Sequence, residues 1–215
     1  MEQLFHDPQT SAALANFCLL TSIGLCPPTP ELAQGLADGS FFSDYLECTQ
    51  LIAPNDLRYA SLAYYGKAAD AVYQELNREY TRLFVSPKRE LVPLYESLIV
   101  HPDEKVSMFI NQTAMHCDQA YRKTGFAYEE KNKFPADHVG IELRFFACLL
   151  IRRLQALENG NPEEADAAAQ AISDFARQHL ARWVKPFCAQ VTLYTQIPFY
   201  TALADMLAQL APMLT

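Results

Sequence analysis

The sequence predicts an all-helical fold, and three observations carry that reading. Apolar residues recur at intervals of three and four along most of the chain, the spacing that lines one face of a helix. Alternating apolar and polar runs bounded by turn residues, which mark strands, are scarce. Only 7 glycines occur in 215 residues while 50% of the chain is hydrophobic, so the chain can bury a sizeable core and gives little of its length to tight turns.

Ser11 to Ile23 reads as a mostly apolar helix, ended by Gly24 and the turn Pro27-Pro28-Thr29-Pro30. A second helix starts at Thr29 or Pro30, because proline's fixed φ suits a first turn. Leu57 to Phe84 is a long helical region interrupted near Gly66; Val85-Ser86-Pro87 ends it, since the residue before a proline avoids the helical basin. Leu91 to Pro102 is expected to be irregular, and Met108 to Lys123 resumes as helix until Thr124-Gly125. Phe126 to Pro135 carries five consecutive polar or charged residues, 129–133, and reads as an exposed connector. Val139, Leu143, Phe146, Leu150, Leu154 and Leu157 mark the next helix, stopped at Asn159-Gly160-Asn161-Pro162, with Gly160 as a left-handed cap. Phe175, Trp183, Phe187, Val191 and Tyr194 form another buried helical stripe, and a last helix follows Pro198 through Leu210. The expected organisation is one helical-bundle-like domain, 1–215, made of N-terminal helices (1–125), a connector (126–136) and C-terminal helices (137–215).

A formal charge of -8 and a pI near 5.1 argue against a protein held on phosphate backbones and suit basic partners better. The six cysteines, at 18, 26, 48, 117, 148 and 188, include no C-x-x-C pair and fit reduced, mostly buried thiols. The start MEQLFHDPQT lacks a basic segment followed by a cleavage site, and no apolar run approaches the roughly 18 to 20 residues that span a bilayer. A cytoplasmic protein with no stable membrane insertion is expected.

KFPADHVGIEL, residues 133–143, sets an acid beside an imidazole just after a proline. Asp137 precedes a strongly periodic helix, which makes it a candidate N-cap; a binding role is compatible with that. His138 falls in the first turn, where the helix dipole disfavours the imidazolium. Acid-base catalysis by this pair would require a nucleophile and an anion-stabilising site, and neither a G-x-S-x-G elbow nor a P-loop occurs. The histidines at 6, 101, 116, 138 and 179 share no metal-binding spacing, so no metal site is expected. A second conspicuous segment, EYTRLFVSP followed by PLYES, places Leu83 and Phe84 as core or groove residues. It also sets Tyr95 and Glu96 on a proline-stiffened loop suited to a cationic ligand.

Taken in order, EYTRLFVSP, PLYES, AYRKTGF, FPADHVGIELRFFACLL, HLARWVKPF and PFYTALADML resemble the signature series of the TorD/DmsD/NarJ family of redox-enzyme maturation chaperones, nearest its TorD and DmsD branch, over residues 75–210. The resemblance implies an all-helical, cytoplasmic, non-enzymatic chaperone. Its partners would be the twin-arginine signal peptide, and often the body, of a molybdopterin-containing oxidoreductase before export. Matching positions carry over a peptide-binding set of Leu83, Phe84, Pro87, Pro93, Tyr95, Glu96, Ser97, Pro135, Asp137 and His138, with Asp137 and Glu96 selecting the paired arginines at the edge of an apolar groove. Two departures stand out: Phe134 replaces the acid expected before Pro135, and Lys88 follows Pro87 where some members carry tryptophan. The family also admits weak guanine-nucleotide binding in place of any firm cofactor, and monomers or domain-swapped dimers. The alternative function is a weak nucleotide-binding or nucleotide-hydrolysing enzyme using the Asp137-His138 region.

Overall fold

The computed structural model describes residues 7–52, 57–85, 91–101, 111–128 and 134–214. Helix α1 (Pro8–Leu25) is opened by Asp7, whose carboxylate accepts the Gln9 and Thr10 N–H groups at 3.2 and 2.9 Å. It runs through Gly24 rather than stopping there. A Cβ at residue 24 would lie 2.5 Å from Leu203 Cδ1, so this glycine serves a close helix approach, and the following prolines make the stop. Helix α2 (Pro30–Asp38) begins as expected, with Thr29 capping the Leu32 N–H, and ends at Gly39 with φ +85°. Helix α3 (Ser40–Ile52) follows. Helices α4 (Arg58–Tyr64) and α5 (Ala69–Tyr80) flank the expected break at Gly66, and α5 widens into a π turn at Thr81–Val85.

The stretch read as irregular contains a short helix, α6 (Glu96–Val100). Helix α7 (Gln112–Thr124) is capped by Asn111, one turn later than the periodicity suggested; Met108 to Ile110 lie outside the described residues, as does the 129–133 part of the connector. Gly125, at φ +73°, ends it. Helix α8 (Val139–Glu158) closes at Asn159-Gly160 as anticipated. The single stripe expected from Phe175 to Tyr194 is instead the end of α9 (Pro162–Phe175), a π turn (Ala176–Leu180) and α10 (Ala181–Tyr194), with Tyr194 exposed. The wider π turn shifts the helical register, so a 3.6-residue stripe does not run through it. Helix α11 (Pro198–Leu210) completes the fold with a 3₁₀ turn at Ala211–Met213.

Helix α8 is central. Its first twelve residues bury Val139, Ile141, Leu143, Phe145, Phe146, Leu149 and Leu150, more than one face, because α1 packs along one side and α9 along another. Helix α3 covers α1, α2 packs on α5, and α11 bridges α10, α4 and α1. One hydrophobic core therefore runs from Leu14 to Leu214. Among the described residues no single helix is long and apolar enough to cross a membrane.

Candidate functional site

The two segments singled out in the sequence meet in space. The Glu96 N–H donates to the Asp137 carbonyl and the Val139 N–H to the Leu94 carbonyl, both at 2.9 Å, so Tyr95 and His138 form an isolated antiparallel bridge. The bridge satisfies backbone groups at the start of α6 and α8 together. Asp137 then turns its carboxylate toward α6, where Oδ2 accepts the Ser97 N–H at 3.2 Å. His138 caps α8 instead, Nδ1 accepting the Gly140 N–H at 3.1 Å. The expectation that Asp137 caps the helix it precedes is thus corrected. It caps a helix 40 residues earlier, because the bridge holds it one position outside the α8 cap and beside the first turn of α6.

This locking buries the motif. Glu96, Asp137 and His138 are 0% exposed, and Ser97, Pro135, Leu83 and Phe84 are also buried. Phe84 packs against Tyr80 and Tyr200, so Leu83 and Phe84 take the core position of the two offered by the sequence. Pro93 and Tyr95 are half-buried, as is Phe134, and Pro87 lies outside the described residues. The Tyr95 and Phe134 rings both flank the His138 imidazole, at centroid distances of 5.5 and 4.7 Å. Neither Asp137 nor Glu96 sits on a rim where it could meet an incoming arginine. Burial raises the pKa of Asp137 above the ordinary aspartate value, against the Ser97 hydrogen bonds that lower it.

Beneath the bridge lies a polar cluster that periodicity did not reveal. Glu96 Oε2 is hydrogen-bonded to His179 Nδ1 at 2.7 Å and Oε1 accepts Arg182 Nη1–H at 3.1 Å. Glu142 Oε2 accepts the Trp183 indole N–H at 2.7 Å, and Cys117 Sγ lies 3.9 Å from Glu142 Oε1 and 3.4 Å from His179 Nδ1. Burial, then the facing Glu96 carboxylate, pushes Glu142 well above the usual glutamate range, and burial likewise raises the Cys117 thiol. One signal was present in the sequence: Glu142 sits between Ile141 and Leu143 in an apolar-rich run, where an acid must find buried partners.

The EYTRLF segment has a third role. Arg82 grips Glu79 with two bonds of 2.7 and 2.8 Å, and the same carboxylate accepts the Gln196 N–H at 2.6 Å and the Thr195 hydroxyl at 3.2 Å. The turn between α10 and α11 is thereby pinned to the end of α5.

The nitrate reductase delta subunit family matches residues 50–189. A Chaperone protein TorD from Photobacterium profundum is 28% identical over 142 residues, covering 66% of this chain and 62% of the relative. Another from Vibrio cholerae is 28% identical over 132 residues, covering 61% and 57%. The chain thus spans about three fifths of the length of these curated relatives. The crystal structure of a proposed redox enzyme maturation protein from Archaeoglobus fulgidus shares the fold, with a TM-score of 0.54 over 92% of this chain and 93% of that one at 18% identity. Residues 50–189 contain the Glu79–Arg82 grip, the Tyr95–His138 bridge and every member of the buried cluster, and by that match, which covers well over half of the chain, the protein belongs to the nitrate reductase delta subunit family.

Proposed function

We propose that this protein is a non-catalytic cytoplasmic chaperone that holds the twin-arginine leader, and in part the body, of a molybdopterin-containing oxidoreductase while the enzyme matures. The observation that carries the reading is the bridge joining the PLYES and PADH segments. It commits Asp137 Oδ2 and His138 Nδ1 to backbone N–H groups and leaves Pro93, Tyr95 and Phe134 half-buried, apolar and aromatic, around it. Glu96, Ser97, Pro135, Asp137 and His138 then act by holding that patch in place. Leu83 and Phe84 support it from the core, and Pro87 belongs to the proposed set without a described position.

A micromolar complex requires about 8 kcal/mol. Exposed ion pairs contribute about 0 to 1 kcal/mol each, so apolar burial of more than roughly 400 Å² at about 25 cal/mol per Å² has to supply most of it after association costs. The leader's hydrophobic segment is the partner that offers such area. The nucleotide-hydrolysing alternative is disfavoured by the same burial, which leaves Asp137 and His138 no surface on which a phosphate could rest.

A second location for the same peptide has an observation of its own. Ala12, Leu19, Leu20 and Leu51 line a groove of about 720 Å³ between α1 and α3, with Asp44 and Glu47 among its lining residues and no basic side chain. Calorimetry of the full chain with a twin-arginine leader peptide separates the two. Tyr95→Ala combined with Phe134→Ala is expected to weaken binding at least about tenfold, or 1.4 kcal/mol. If Asp44→Ala with Glu47→Ala does so instead, the peptide lies on α1 and α3. Absence of binding to the wild type contradicts the function itself.

A further inference from the structure

We propose that Glu96, Cys117, Glu142 and His179 are the four ligands of a divalent metal site, with zinc the ion their chemistry suits best. One donor atom from each lies within 4.8 Å of all the others, and all four residues are buried. Thiolate, imidazole and carboxylate together are a donor set for a borderline-soft ion such as zinc rather than for calcium or magnesium, which favour oxygen alone.

The four donor atoms lie within 4.8 Å of one another, a spacing that side-chain adjustment of about an ångström brings to what zinc requires. Bonds of about 2.0 to 2.3 Å in a tetrahedron put neighbouring donor atoms about 3.3 to 3.7 Å apart. The observed separations are 3.4 Å for Cys117 Sγ to His179 Nδ1, and 3.9 and 4.0 Å for Cys117 Sγ to the two carboxylates. The His179 Nδ1 to Glu96 Oε2 distance of 2.7 Å is a hydrogen bond that opens by several tenths of an ångström when a cation replaces the shared proton.

Both carboxylates are oriented as metal ligands are. Glu96 presents Oε2 to the cluster while its Oε1 accepts Arg182, and Glu142 presents Oε1 while its Oε2 accepts the Trp183 indole. In each case the oxygen turned away is fixed by an outer donor, the arrangement that orients metal-bound carboxylates. Charge balances as well: two carboxylates and a thiolate are matched by a divalent cation and the Arg182 guanidinium, which suits a site closed to water.

A surface cavity adjoins the site. His179 is carried on the π turn, and it lines a surface cavity of about 420 Å³ together with His116, Phe145, Asp174 and Phe175. The exposed His116 and the buried His179 both line this cavity, which makes it the side from which an ion would approach. The ligands come from α6, α7, α8 and the π turn, so no short sequence spacing could signal them.

The test is cobalt(II) titration of the chelator-treated full-length protein. One equivalent is expected to give thiolate-to-cobalt charge-transfer absorption with d–d bands of tetrahedral strength, displaced by zinc. The absorption is expected to vanish in Cys117→Ser and to persist in Cys148→Ser. Glu142→Gln, which keeps the acceptor for Trp183, is expected to weaken cobalt binding by about a hundredfold. If the wild type shows no thiolate–cobalt absorption, or Glu142→Gln binds as tightly as the wild type, the site does not exist; these two readouts hold even if Cys117→Ser fails to fold.

Discussion

Asp137 has two demands on it that conflict. It accepts the Ser97 N–H as the cap of α6, yet complete burial raises its pKa, so the charged form is held at a cost. A neutral acceptor resolves the conflict. Asp137→Ala is expected to lose about 1 to 2 kcal/mol of stability in chemical denaturation. Asp137→Asn should lose little. Because a carboxyl with a raised folded pKa contributes stability below its unfolded pKa that is lost as pH rises through the folded value, the standing of Asn relative to wild type should improve with rising pH. Glu79 behaves oppositely. Burial alone would raise its pKa, but the Arg82 and Gln196 hydrogen bonds outweigh burial and lower it from the ordinary 4.5. Its contribution is present above that value and is lost as pH falls through the lower folded pKa. Glu79→Gln is expected to cost about 1 to 3 kcal/mol at neutral pH, and the gap from wild type should narrow in denaturation as pH falls through that lowered folded pKa.

At the scale of elements, the packing of α1 on α11 depends on Gly24. A methyl there meets Leu203 Cδ1 at 2.5 Å and Phe199 Cζ at 3.2 Å; the leucine end can swing, the phenylalanine ring less so. Gly24→Ala is expected to destabilise by about 1 to 3 kcal/mol, read as a shifted denaturation midpoint with an unchanged slope. Gly24 also marks how far the sequence was legible. The starts at Thr29 and Pro198 and the stops at Gly125 and Gly160 were readable because cap chemistry is local. Gly24 was misread as a stop because its reason is a neighbour 179 positions away, and α6 was missed because its cap comes from Asp137. The π turn at 176–180 left no local mark at all.

For the whole molecule, the same distinction separates what the motifs revealed from what they hid. The order of the motifs pointed to the family that the matched residues 50–189 establish, and the helical class followed from periodicity. The roles of the acids did not. Glu96 and Asp137 read as surface selectors in one dimension, and folding turned both inward, one to His179 and Arg182 and the other to the α6 backbone. Glu142, Cys117 and Trp183 were invisible as a group because they meet only in three dimensions. The packing of α1 along α8 joins the N-terminal and C-terminal helices in one core, and Tyr95 and Phe134 meet at His138, which opens α8.

The most direct measurement of the central claim is photo-crosslinking of a twin-arginine leader peptide, carrying a photoreactive group in its apolar segment, to the full-length protein, with the sites read by mass spectrometry. Crosslinks concentrated at Pro93, Tyr95 and Phe134, and competed away by unlabelled leader, are the predicted result. A leader that forms no competed crosslink, or one whose crosslinks fall only on other helices, would contradict the account.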